Sequence, residues 1–182
     1  MNLTRAIAVR QFTFPIPQRD HIQGSSDAEV ALLEYGDFEC PACGEVYPVI
    51  KAIQEEMDAH LCFAYRHFPL AIVHPRATRA AEAAEAAAAQ GSFWMMHDLL
   101  FENQIALTDD DLFGYARHLD LDVERFRTEV ISGVHRERVR EDFHLGVRGG
   151  VNGTPTFFIN GERYDGPRSL DPLVAALSES RK

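Results

Sequence analysis

Cysteine is scarce in this chain: three residues in 182 cannot frame a fold with disulfides, so stability must come from a packed core. Positive charge is also in short supply. Lys and Arg number 18 against 28 Asp and Glu, and the formal charge of −10 argues against nucleic acid as a partner, because phosphate binding needs clustered cations. It gives no support for docking on an anionic membrane either. Long apolar runs are missing as well. No window approaches the roughly 18 apolar residues of a membrane span. Arg5 and Arg10 interrupt the apolar stretch at the N-terminus, where a secretory leader needs an unbroken run of about 7–15 residues. The expectation is a soluble, cytoplasmic chain without membrane insertion, exported only if a leader has been removed. What is present is ordinary globular material: 46% hydrophobic residues, at a length that suits one domain with an insertion.

Residues 1–26 carry Pro15, Pro17, Gly24 and neighbouring serines, which predicts an arm with one short strand around Arg10–Phe14. "EVALLEYGDF" (Glu29–Phe38) is a continuous apolar run of strand formers, as expected of a strand buried on both faces. From Pro41 the apolar residues Val46, Val49, Ile50 and Ile53 recur at helical spacing, with Pro48 inside the pattern. "LCFAYRHFP" (Leu61–Pro69) reads as a second strand, and strand–helix–strand implies a right-handed crossover. Next comes a long helical block, residues 74–148, opening with "ATRAAEAAEAAAAQG" and stopping at Gly91. Within it, Thr108 with Asp111 three residues later forms a capping pattern, and Asp122 caps the following helix. "TPTFFI" returns to strand, Asn160–Gly161 marks a hairpin, and "RSLDPLVAALSES" closes the chain as an amphipathic helix. The order predicts an α/β core from 27–73 and 149–182, interrupted by an inserted helical domain over 74–148.

The chemistry concentrates in "YGDFECPACGEVYP" (Tyr35–Pro48). Cys40 and Cys43 sit one helical turn apart at the start of a helix, with Pro41 at the first helical position, where its missing N–H costs nothing. Free N–H groups and the positive helix end favour a thiolate at Cys40, while Cys43, deeper in the helix, should be more buried and less acidic. One sulfur that attacks and one that resolves is the pattern of thiol–disulfide exchange. A zinc site would need further ligands, and the chain supplies no second C-x-x-C, only His60 and Cys62 on the following strand. A structural staple closing so short a loop would stabilise little. Cys62 itself reads as a buried core thiol, and Trp94, Met95, Met96, His74 and His97 read as packing or structural residues.

Three segments, "LLEYGDFECPACG", "FWMMHDLLFEN" and "GVNGTPTFFING", together resemble the DsbA-like branch of the thioredoxin superfamily, in the order of that family and across some 130 residues. The resemblance implies a thioredoxin-like fold with a helical insertion and a protein disulfide oxidoreductase with no cofactor or metal beyond a Cys40–Cys43 disulfide. It implies that Thr154–Pro155 is a cis-proline loop beside the sulfurs, whose backbone can pair with an extended substrate. It also implies that Glu34 is a buried acid relaying protons to Cys43, with its pKa raised by burial. Phe38 and Pro41 complete the expected substrate-facing set, Phe38 as part of an apolar rim. Expected partners are thiol- or disulfide-containing proteins, with glutathione or a redox partner protein as further candidates. Competing readings are a zinc-binding or chaperone-like module and a glutathione-dependent isomerase, though such isomerases usually lack the second cysteine. Ala42 stands where strongly oxidising relatives carry histidine, and Asp37, Glu39 and Glu45 should raise the pKa of Cys40. The expected dithiol is therefore less oxidising than the Pro-His type.

Overall fold

The computed structural model describes residues 13–181. Its sheet has five strands in the order β1-β3-β2-β4-β5: β1 (His21–Gln23), β2 (Val30–Gly36), β3 (Leu61–His67), β4 (Thr156–Ile159) and β5 (Glu162–Tyr164). The central strands β2, β3 and β4 are buried along their whole length, as their apolar runs predict. β2 and β3 are parallel, joined by helix α1 (Pro41–Met57), and the other pairings are antiparallel. Asn160 and Gly161, at φ 47° and 89°, take the positive φ values that the β4–β5 turn requires.

The expected strand around Arg10–Phe14 lies mostly outside the described residues, and Thr13 and Phe14 belong to no strand. The strand of this region is β1, whose His21 pairs with Tyr65 of β3. The arm thus supplies an edge strand. "HIQ" has no periodicity of its own, and pairing to β3 is what defines it.

One face of the sheet packs Leu32, Phe63 and Phe157 against Val46, Ile50 and Ile53 of α1 and against Leu173 and Leu177 of α7 (Leu170–Glu179). The opposite face packs Leu33, Tyr35, Ala64 and Phe158 with Phe68 and Val151. Between β3 and β4 come α2 (Ala77–Ala88), α3 (Phe93–Glu102), α4 (Asp109–His118), α5 (Val123–Ser132) and α6 (Arg136–Arg148). The alanines of α2 are almost all buried, because their small side chains let neighbouring helices approach closely. Thr108 and Asp111 form a full capping box on α4, and the Asp122 side chain accepts from Arg125 N at the start of α5. No helix among the described residues is long and apolar enough to cross a membrane.

The helical block and the core share one apolar cluster. Phe38, Cys40, Cys43 and Tyr65 pack with Ala80, Ala84, Met96, Leu100 and Phe101.

Candidate functional site

Cys40 is the N-cap residue of α1 and Pro41 occupies the first helical position, as the sequence predicts. Cys43 N and Gly44 N both donate to Cys40 O at 3.1 Å, closing the first turn over the two sulfurs. Both thiols are free; Cys40 is 6% exposed and Cys43 fully buried.

The two thiols titrate in opposite directions. The hydrogen bond from the Cys43 thiol, then contact with Thr154 and the backbone amides of Cys43 and Ala42, hold Cys40 down at about 5 against the opposing effect of burial. Burial pushes Cys43 well above the ordinary thiol range, and its hydrogen bond to Cys40 and the charge of Glu34 add to this. Sequence reasoning had Asp37, Glu39 and Glu45 raising Cys40, and the structure corrects it. Asp37 is occupied elsewhere: its carboxylate accepts from Glu39 N and Leu70 N at 2.8 Å and meets His74 Nδ1 at 2.8 Å. Glu39 accepts from Arg76 N at 2.6 Å, and Glu45 is exposed. Asp37 and Glu39 fasten the loop after β3 to the active-site loop, and the sulfur answers to the groups it touches.

The Thr154–Pro155 peptide is cis, and the Cys40 thiol lies 3.5 Å from Thr154 O. Glu34 stands in the middle of β2, opposite Tyr65 on one side and Phe157 on the other, and is 3% exposed. Burial, then the charge of Cys40, raises its pKa to about 8, with Arg168 pulling the other way. The structure therefore brings Cys40, Cys43, Glu34, Thr154, Pro155 and Pro41 into one neighbourhood.

Phe38 differs from expectation. It is 1% exposed, stacked on Tyr65 at 5.3 Å and packed against Phe101 at 4.9 Å, so it is core and cannot line a rim for substrates. An aromatic beside the motif suits either place; the rings of β3 and α3 decide. Cys62 is buried and pushed up to about 11, chiefly by that burial, as befits an inert packing thiol. His97 is buried with Nδ1 3.0 Å from Asp98, and His74 is held by Asp37, both structural roles as read.

Sequence reasoning overlooked Gln104. Its amide nitrogen donates to both Phe38 O and Cys40 O at 2.9 Å, so the helical block grips the active-site loop directly. A Cβ at Gly44 would push the Gln104 carboxamide aside and break this grip, so glycine there leaves room for it. Nothing in "FENQI" marks this residue, because its partners lie 64 and 66 positions away.

The family model described as thioredoxin matches residues 17–179. Among solved structures, oxidised BdbD from Bacillus subtilis superposes with a TM-score of 0.83 at 21% identity, covering 91% of this chain and 95% of that one. Wolbachia pipientis alpha-DsbA1 superposes at 0.79 with 19% identity, covering 94% of each chain. Curated relatives are more similar in sequence. A Na(+)/H(+) antiporter NhaA 1 from Salinispora arenicola is 45% identical over 164 residues, and a protein of the same name from Mycobacterium sp. is 43% identical over 169. These matches take in 90% and 91% of this chain but 25% and 27% of the relatives, so the chain spans about a quarter of their length.

Proposed function

This chain belongs to the thioredoxin family, with a DsbA-like fold, and from that premise we propose that it exchanges disulfides with protein thiols through Cys40 and Cys43. The observation that carries the reading is the opposition of the two thiols, one held at about 5 and the other driven well above its ordinary value. In the reducing direction, the Cys40 thiolate attacks one sulfur of a substrate disulfide, forming a mixed disulfide and releasing the other substrate sulfur as a thiolate. Cys43 loses its proton and attacks Cys40 Sγ. The mixed disulfide breaks, the substrate leaves as its second thiolate, and the Cys40–Cys43 disulfide forms. Two electrons pass from the dithiol to the substrate. In the oxidising direction the same steps reverse, and Cys43 departs as a thiolate that must be protonated.

Glu34 suits both directions. With a pKa near 8 it holds a proton for a departing Cys43 at neutral pH and can accept one when Cys43 attacks. Thr154 and Pro155 hold the substrate backbone alongside the sulfurs, and Pro41, exposed on the first turn, faces the incoming chain. Glutathione or a redox partner protein resets the pair.

The Cys40 pKa lies between the values of about 7 for thioredoxin and about 3.5 for DsbA. A thiolate less favoured than that of DsbA supports a couple less oxidising than the Pro-His type, which equilibration against a glutathione buffer would measure. The test pairs two variants on a disulfide-linked reporter peptide. Cys40→Ser should abolish exchange and Cys43→Ser should accumulate mixed disulfides; an active Cys40→Ser protein refutes the assignment.

The curated relatives support a second reading, of where the exchange takes place. Their antiporter name, at 45% identity, makes a membrane antiporter a candidate partner for this domain. Trapping with Cys43→Ser in membranes should then recover an antiporter thiol; recovery of soluble proteins alone dismisses that partner and leaves the exchange chemistry intact.

A further inference from the structure

Away from the thiols, ligand-type atoms from three elements converge where β1, the end of β3 and α2 meet. His21 Nε2, His67 Nε2 and Glu85 Oε1 all lie within 4.8 Å of one another. Glu85 Oε1 is 2.9 Å from His21 Nε2 and 3.0 Å from His67 Nε2. We propose that His21, His67 and Glu85 form a binding site for a divalent transition metal, zinc foremost, that ties the sheet to the helical block.

Two imidazole nitrogens and a carboxylate oxygen make a borderline donor set that zinc takes readily, leaving a fourth position for water or another ligand. One carboxylate oxygen of Glu85 already faces an Nε2 of each histidine, so the acid stands where a ligand shared between the two rings would stand. His67 and Glu85 are buried on regular elements and so are pre-positioned. The His21 side chain is 18% exposed on a short edge strand, which gives an ion a way in.

Donors around tetrahedral zinc stand about 2.0–2.1 Å from the metal and so about 3.3 Å from one another. The two contacts to Glu85, at 2.9 and 3.0 Å, need opening by roughly 0.3 Å, and the separation of the histidine nitrogens, under 4.8 Å, needs closing by roughly 1.5 Å at most, distances that small ring rotations cover. The His21 ring lies flat on Phe93, with centroids 3.4 Å apart, and can slide in that plane.

Arg138 is the opposing charge, with Nε 3.8 Å from Glu85 Oε1. It has firmer partners, since its guanidinium donates to Asp142 at 2.6 Å and to Arg19 O at 3.0 Å, and it can remain on these while Glu85 turns to a metal. The site shares no residue with the C-x-x-C pair, so the inference does not depend on the thiol chemistry.

The test uses the whole chain with Cys40 and Cys43 oxidised to a disulfide, so that the dithiol cannot take the metal. Calorimetric titration with zinc should give one ion per chain, weakened at least tenfold by Glu85→Gln and by His21→Gln. His21→Gln changes a partly exposed edge residue, so it reports on binding even if Glu85→Gln disturbs the fold. Cobalt(II) in place of zinc should show ligand-field bands without thiolate-to-metal charge transfer. Failure of the folded protein to bind zinc stoichiometrically, unchanged affinity in both variants, or a thiolate charge-transfer band would each overturn the site.

Discussion

Glu34 and Glu85 are buried alike, at 3% and 6% exposure, yet they carry charge differently. Glu34 lies between apolar strands and forms no ion pair among the described residues; burial lifts it to about 8. Glu85 lies between two histidines and is held ionised by them. Burial alone therefore does not decide the state of an acid in this protein. A carboxyl left without a counter-charge becomes a proton carrier near neutrality, and one given partners becomes a permanent anion. The first kind of acid stands beside the sulfurs and the second joins sheet to helices.

The largest effect expected from this contrast is the loss of Glu85. Glu85→Ala leaves two imidazoles without their shared acceptor and should destabilise the metal-free protein by about 3 kcal/mol in urea unfolding at pH 7. Its folded pKa is depressed, so the stability Glu85 contributes is present above its ordinary 4.5 and disappears as pH falls below it. A loss under about 1 kcal/mol at pH 7 would show that the histidines manage without it.

Glu34 should behave in the opposite sense. Its folded pKa is raised from 4.5 to about 8, so between those values the unfolded chain is ionised while the folded chain keeps its proton. Stability falls as pH rises through that window, by roughly 3 kcal/mol at pH 7. Glu34→Gln should recover about 2 kcal/mol of this, the remainder being offset by the burial of the amide. The gain should vanish below pH 4.5, where both side chains are neutral. The same variant should slow resolution of mixed disulfides by Cys43. A Gln variant that is less stable at pH 7 would mean that Glu34 has an ionic partner after all.

The sulfurs repeat the contrast within one helical turn. Alkylation of Cys40 should show a midpoint near pH 5, with Cys43 inert until strongly alkaline conditions. Because the Cys43 thiol is the foremost group holding Cys40 down, Cys43→Ala should move that midpoint up by about one pH unit, worth about 1.4 kcal/mol. An unmoved midpoint would transfer the stabilisation to the helix terminus and the Thr154 contact.

Much of the thiol site could be read from the sequence because its chemistry is local. The C-x-x-C spacing and the proline at the first helical position need only a few neighbouring residues to be interpreted. The acid inside the apolar run "VALLEYG" was visible as an anomaly in a strand buried on both faces. The His21–Glu85 contact was not visible, since it joins positions 64 apart and each residue alone looks like an ordinary polar side chain. Phe38 was misread for a related reason: its neighbours Tyr65 and Phe101 arrive from β3 and α3. For Asp37 and Glu39 the sequence shows the sign of the charge but not the backbone amides of Leu70 and Arg76 that occupy it.

The smallest effect tests how isolated Glu34 is. Arg168, exposed on the loop before α7, is the positive charge acting to lower Glu34, and it acts against burial and the charge of Cys40. An exposed cation is screened by water and salt, so its pull on Glu34 should be a few tenths of a pH unit. Arg168→Gln should move the Glu34 titration up by about that much, read from the pH dependence of resolution. Raised salt should have the same effect on the parent protein and almost none on the variant. A shift near one pH unit would make Arg168 a true counter-charge to Glu34, and Glu34 would then belong with Glu85 as a paired acid.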